Sequence, residues 1–193
     1  GGLIVAQLWH MGRAVHSAVT GEQPVSSSAT ATPGDAHTYE GKKPYEVARP
    51  LAIDEIPGII ADYVKAANNA IAAGFDGVQI HAANGYLIDQ FLRDNSNFRD
   101  DIYGGSIENR VRLLREVTQA VVDAIGADRV SVRLSPNGDT QGVNDSNPEP
   151  LFAAAAEVLN QIGIAFLELR EPGYEGTFGK ADPPPIAPAM RKV

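Results

Sequence analysis

Apolar positions along this chain follow two patterns, short continuous runs and longer stretches with a period near 3.6, and the two alternate. Leu3–Trp9 is a near-continuous apolar run, the pattern of a parallel strand buried on both faces. Over residues 54–73 the residues Ile56, Ile59, Ile60, Tyr63, Ala67, Ala70 and Ile71 mark one face of a helix. Asp54 and Glu55 suit its positive end, Pro57 is tolerated in its first turn, and Gly74 stops it. Phe75–His81, with β-branched Val78 and Ile80, predicts a second strand; Asn84-Gly85 predicts a turn and Tyr86–Leu92 a short helix. Ser106 can cap a helix over 107–125, with Val111, Leu114, Val121, Val122 and Ile125 inward and Gly126 after it. Arg129–Ser135 predicts a third strand, Glu149–Ile162 an alanine-rich helix stopped by Gly163, and Ile164–Arg170 a fourth strand. Residues 186–193 read as the start of one more helix.

Between these elements, residues 11–49 are rich in Ser, Thr, Gly and Pro and show no period of either kind. A loop this long in a compact domain is a functional lid or a disordered segment. The expectation is one domain over 1–193, carrying a long loop insertion at about 11–52.

Strands alternating with helices give an α/β fold with parallel strands, either a doubly wound sheet or a (β/α)8 TIM barrel. A nucleotide-binding sheet would offer a glycine-rich fingerprint directly after a strand, and neither G-x-G-x-x-G nor a Walker sequence is present. The barrel is favoured. A full barrel takes about 250 residues and eight strands. The four strands here leave two open edges, an association hazard. The barrel is therefore expected to be incomplete in this chain and completed by another. A start inside a strand and a stop inside a helix lead to the further expectation of a split or circularly permuted enzyme.

Composition narrows the function classes. The 193 residues and 44% hydrophobic content support one substantial core. A formal charge of −8 argues against nucleic acid as a partner. No run approaches the eighteen or so apolar residues of a membrane span, and the first residues lack a secretory pattern. With no cysteine there is no disulfide, thiol nucleophile or thiolate metal site, and the default location is cytoplasmic. His10, His16 and His37 match no metal-ligand spacing, and His16 and His37 read as solvated loop residues.

The chemistry concentrates where the second strand ends. Groups at the C-terminal ends of strands in βα units face the binding crevice. That position carries His81, Asn84 and Tyr86, an imidazole, an amide and a phenol that all donate hydrogen bonds; Tyr and His also exchange protons. A lone histidine at a strand end is more often a satisfied structural group, and the residue types alone leave open whether the three form a site.

Four blocks carry a resemblance: Gln7-Leu-Trp-His-Met-Gly-Arg13, His81-Ala-Ala-Asn84-Gly-Tyr86 running on to Leu92, Tyr103-Gly-Gly-Ser-Ile-Glu-Asn-Arg110, and Val132-Arg133-Leu-Ser-Pro136. In this order they resemble the Old Yellow Enzyme family, FMN-dependent ene-reductases on a (β/α)8 barrel. The resemblance covers essentially the whole chain and implies that it corresponds to barrel strands three to six. It implies that Gln7 pairs with the polar edge of the flavin pyrimidine, and that Arg133 stabilises negative charge on reduced flavin. The alternatives are an unpaired amide in a buried strand for Gln7 and a barrel-interior ion pair for Arg133. His81 and Asn84 match the pair that hydrogen-bonds the activating oxygen of the substrate, and Tyr86 the proton donor to the α carbon. Trp9 lines the pocket or belongs to the core, Tyr103–Arg110 is structural, and Tyr174 faces the substrate.

The implied reaction passes hydride from NAD(P)H through FMN to activated alkenes of unsaturated carbonyl or nitro compounds, or reduces nitrate esters. The implied partner is a complementary chain supplying the other strands. A second reading, motivated by the open edges, is a non-catalytic half-barrel that binds no flavin alone. An aldolase is disfavoured, because no lysine stands at a strand end: Lys42, Lys43 and Lys65 fall in loop or helix, and Lys180 and Lys192 near the C-terminus.

Overall fold

The structure is a computed structural model and describes residues 1–171 and 184–192. In chain order it comprises β1 (Val5–Leu8), α1 (Ser17–Thr20), β2 (Val25–Ser26), β3 (Asp35–Thr38), β4 (Gly41–Pro44), β5 (Arg49–Pro50) and α2 (Ile56–Ala72). Then follow β6 (Gly77–His81), α3 (Leu87–Leu92), α4 (Ile107–Ile125), β7 (Val130–Leu134), α5 (Pro148–Ile162), β8 (Phe166–Leu169) and α6 (Ala187–Met190). Tyr174 lies outside the described residues.

The main sheet has the order β1-β6-β7-β8, and every pairing in it is parallel. Strands that neighbour one another in chain order, with no reversal, follow a barrel wall; a doubly wound sheet would show a switch point. Each connection is made by a long helix: α2 before β6, α4 before β7 and α5 before β8. Strand alternation then sorts the side chains onto two faces. Val78, Ile80, Val130, Val132 and Leu134 are wholly buried in one hydrophobic core with Val111, Leu114, Phe152 and Leu159 from the helices. Each such side chain taken out of water contributes about 1.5–3 kcal/mol. The opposite face carries Gln7, Gln79, His81, Arg133 and Glu168; it is polar, and its residues meet in register, His81 beside Arg133 and Arg133 beside Glu168. That polar face holds the site.

The helix ends follow their signals. Ser106 accepts the Asn109 N–H, and Gly163 closes α5 in the left-handed region at φ 79°.

Two expectations need correction. β1 is not buried on both faces: Leu3, Ile4 and Val5 are exposed, and Gln7 is exposed as well. A continuous apolar run marks a strand that is covered on both sides, and here one edge of β1 pairs with no strand among the described residues. Nor is the segment after β1 without regular structure. It holds the antiparallel hairpin β3–β4 and a parallel two-residue pairing of β2 with β5. These strands have two to four residues each, too few and too polar to produce a period. No described helix is long and apolar enough to cross a membrane.

Candidate active site

β6 ends at His81, and its chain then turns sharply into α3. Asn84 and Gly85 take successive left-handed conformations, φ 57° and 77°. A side chain at Gly85 would place its Cβ 2.5 Å from the Thr140 carbonyl oxygen, so the close approach of the two loops requires glycine. Asn tolerates the left-handed region better than most residues, which is the local reason for Asn-Gly here. The turn is pinned from both sides. The Asn84 N–H donates to Ser135 Oγ at 2.7 Å, and the Gly85 N–H donates to Asp89 Oδ2 at 2.9 Å. Asp89, fully buried, is paired with buried Arg93 at 2.8 Å; Arg93 reaches the Ser135 and Pro136 carbonyls and stacks over Phe152. Gln90 completes the frame: its Nε2 donates to the Gly85 and Met11 carbonyls, and its Oε1 accepts from the Arg13 N–H and Ser26 Oγ.

This frame sets three of the five predicted site residues around one cleft of about 350 Å³, lined by Gln7, Trp9, His81, Asn84, Tyr86, Thr140, Gln141 and Arg170. Gln7 makes a fourth, on the cleft wall; Arg133 lies beside it rather than in the lining. A larger cleft of about 520 Å³ opens on the outer face among Ile60, Arg112, Glu116 and Val158, away from the strand ends where barrel sites form. The aromatic rings interlock: Trp9 meets Tyr86 edge-on at 4.7 Å, and Tyr86 meets His81 edge-on at 5.0 Å. Trp9 is half exposed and lines the cleft, so it is not a core residue.

His81 is buried, and its Nδ1 accepts the Ala83 N–H at 3.2 Å. An imidazole nitrogen that accepts carries no proton, so in the neutral ring the proton sits on Nε2. Burial, helped by the Arg133 charge and opposed by Asp89 and Glu168, pulls the His81 pKa down to about 4. The ring is therefore a neutral Nε2–H donor at ordinary pH. Asn84 accepts at Oδ1 from the Arg170 guanidinium at 3.2 Å, and its Nδ2 makes no hydrogen bond among the described residues. Two N–H donors and a phenol thus share one cleft.

Gln7 and Arg133 belong to a row of polar contacts. Gln7 Nε2 donates to Gln79 Oε1 at 2.7 Å, Gln79 Nε2 donates to Glu168 Oε2 at 2.7 Å, and Glu168 Oε1 lies 3.2 Å from Arg133 Nε. Gln7 is therefore not an unpaired amide, and Arg133 does take part in an ion pair. Both still fit the flavin edge that the sequence resemblance assigns them. Gln7 keeps an open carbonyl oxygen at the cleft, and Arg133 Nε is buried with no hydrogen bond.

Sequence reasoning missed Gln79, Thr140, Gln141, Glu168 and Arg170. For Glu168 and Arg170 the available signal was their place at the C-terminal end of a strand; the other three sit on contacts only the fold creates. Tyr45, in the segment after β4 and outside the cleft lining, has its phenol pushed up chiefly by burial and further by its electrostatic interaction with the Tyr86 phenol. The loop histidines take local roles. His16 caps α1 through the Ala18 N–H at 3.0 Å, His10 accepts the Gly12 N–H at 3.0 Å, and His37 is exposed on β3. No described cluster of three His, Asp or Glu residues could hold a metal ion.

Comparison with known proteins gives this geometry a lineage. The sequence profile of the NADH:flavin oxidoreductase / NADH oxidase family matches residues 1–177. The chain is 48% identical to 12-oxophytodienoate reductase 7 of Oryza sativa subsp. japonica, over 90% of this chain and 47% of that protein. It is 41% identical to flavin oxidoreductase hxnT of Emericella nidulans, over 100% of this chain and 51% of that one. Among solved structures it superposes on the old yellow enzyme homologue from Zymomonas mobilis with a TM-score of 0.98 and 61% identity, covering 100% of this chain and 54% of that one. Morphinone reductase follows at TM-score 0.91 and 40% identity, with 100% and 53% covered. The chain spans about half the length of the curated relatives it matches. Its four parallel strands are consecutive strands of a (β/α)8 barrel, and the chain belongs to the NADH:flavin oxidoreductase / NADH oxidase family, among the Old Yellow Enzyme homologues.

Proposed function

We propose that this chain forms the substrate-activating wall of an FMN-dependent ene-reductase that uses NAD(P)H and acts on activated C=C bonds. The observation that carries the reading is the cleft in which a neutral His81 donor, the Asn84 amide and the Tyr86 phenol converge. Bound FMN, reduced by NAD(P)H, would supply hydride. Gln7 and Arg133 are the residues that would hold it, the amide through paired donor and acceptor and the guanidinium as a fixed cation.

His81 Nε2–H and Asn84 Nδ2–H bind the oxygen of an α,β-unsaturated carbonyl or nitro compound. Both contacts strengthen as negative charge builds on that oxygen, so they favour the transition state over the ground state. Tyr86 holds a proton at its hydroxyl and passes it to the α carbon. Trp9, packed edge-on at 4.7 Å, fixes the ring that carries that hydroxyl. Nitrate esters present a comparable oxygen to the same donors. The reading needs the remaining barrel strands, supplied by complementary sequence to the edges of β1 and β8 that pair with no strand among the described residues, and a cytoplasmic supply of NAD(P)H.

The test is visible spectroscopy and alkene reduction on the protein carrying this chain together with its complementary strands. Bound flavin absorbance and NAD(P)H-dependent reduction of 2-cyclohexenone are expected. A colourless protein that takes up no added FMN overturns the reading and leaves a non-catalytic half-barrel.

A further inference from the structure

Arg170 lines the cleft at the end of β8, and its contacts define a role for it. Its backbone N–H donates to the Leu134 carbonyl at 2.8 Å, extending the β7–β8 ladder by one residue and rooting the side chain at the rim of the sheet. Its guanidinium then donates to Asn84 Oδ1 at 3.2 Å and to Thr140 Oγ1 at 3.1 Å, joining the loops after β6 and β7.

A carboxamide has no strong preference of its own between its two orientations, because oxygen and NH₂ are nearly the same size. The neighbours decide. A guanidinium has donors only, so it donates to the carbonyl end of an amide and repels the NH₂ end. The amide oxygen of Asn84 must therefore turn to Arg170, which leaves Nδ2–H as the group available to a ligand in the cleft. The opposite orientation would face a carbonyl oxygen toward the substrate oxygen, replacing a donor with a repulsive acceptor. The backbone of Asn84 is held separately by Ser135 Oγ at 2.7 Å, so side-chain orientation is the one degree of freedom still to be set.

We propose that Arg170 is a positioning residue that fixes the Asn84 amide with its N–H toward the substrate oxygen, an inference that rests on the activating role proposed for Asn84. Arg170 thereby acts on the reaction through Asn84, and its loss costs nothing further once that amide is gone.

A double-mutant cycle on the complete FMN-loaded enzyme tests this, reading the rate at which 2-cyclohexenone reoxidises the reduced enzyme in stopped flow. Asn84→Ala is expected to lower the rate about a hundredfold, the usual cost of removing one donor to a developing oxyanion. Arg170→Met is expected to lower it about tenfold, Arg170→Lys to recover most of that loss, and the double variant to match Asn84→Ala within about twofold. Should Arg170→Met fail to load flavin, Arg170→Gln, whose own amide tolerates either end of Asn84, enters the same cycle with an intermediate loss expected. A multiplicative double variant overturns the inference, since Arg170 would then act on the substrate directly. So does an undiminished Arg170→Met beside an impaired Asn84→Ala. If Asn84→Ala itself is fully active, the activating role of Asn84 falls and the inference falls with it.

Discussion

Glu168 stands 3.2 Å from Arg133 across the β7–β8 pairing and accepts a 2.7 Å hydrogen bond from Gln79, so one carboxylate both balances the cation and fixes the direction of the amide row ending at Gln7. An ionised carboxylate only accepts, so Gln79 must turn its NH₂ to Glu168 and its oxygen to Gln7. Gln7 in turn gives its NH₂ to Gln79 and keeps its oxygen free. Removing the negative charge should make the neighbourhood of a bound flavin more positive and favour its anionic reduced form. Glu168→Gln is therefore expected to raise the two-electron potential of bound FMN, by on the order of 30 mV given the partial exposure of the pair. Arg133→Gln should lower it. Spectroelectrochemical titration of both variants checks the signs.

His81 gives a pH signature. Its folded pKa is depressed to about 4, chiefly by burial, while an unfolded histidine titrates near 6.5. Between these values the unfolded chain binds the proton and the folded one does not, so stability is full above about pH 6.5 and falls as pH drops toward 4. Compared with His81→Gln, the wild type should lose roughly 2 kcal/mol more between pH 7 and pH 5. Paired urea or thermal melts at the two pH values measure the difference. The imidazole should also contribute no ionisation to the activity profile between pH 6 and 8, since it is neutral throughout.

Buried charge under the site predicts a stability defect. Asp89 and Arg93 are both fully buried, and Asp89 also accepts the Gly85 N–H. Asp89→Ala would strand the guanidinium and release the turn that carries Asn84. The expected cost is about 3–5 kcal/mol, read as a lowered melting temperature.

Much of this architecture was legible in the sequence, for identifiable reasons. The helix over 107–125 has its capping serine, an apolar stripe and a terminal glycine, and its bounds match the structure. Residues 75–81 and 129–135 shorten by one or two residues at their ends, where fraying is ordinary. His81, Asn84 and Tyr86 were readable because one strand end and one turn carry all three. Arg170 and Glu168 were not, because Asn84 and Gln79 lie 86 and 89 residues away and meet them only once the fold lays β6 and β8 on either side of β7. The β1 run was misjudged because apolar content reports what a strand is suited to touch, and Leu3, Ile4 and Val5 touch little among the described residues.

Gly85 offers a geometric test. At φ 77°, with the Thr140 carbonyl 2.5 Å from where a Cβ would stand, Gly85→Ala adds backbone strain and a clash with a rigid partner. The loss should be about 1–3 kcal/mol, and the displaced Asn84 should raise the KM for an enone by more than it slows flavin reduction by NAD(P)H. Steady-state and single-turnover kinetics separate the two.

The central claim is that Tyr86 supplies the proton that completes alkene reduction, and the most direct measurement is the two half-reactions of Tyr86→Phe in the complete flavoprotein. Phenylalanine keeps the ring that packs against Trp9 and His81 and removes only the hydroxyl. Reoxidation by 2-cyclohexenone should slow by about 10²–10⁴ while reduction of the flavin by NAD(P)H stays within a few-fold of wild type. Reoxidation at an undiminished rate would contradict the assignment and place the proton donor elsewhere.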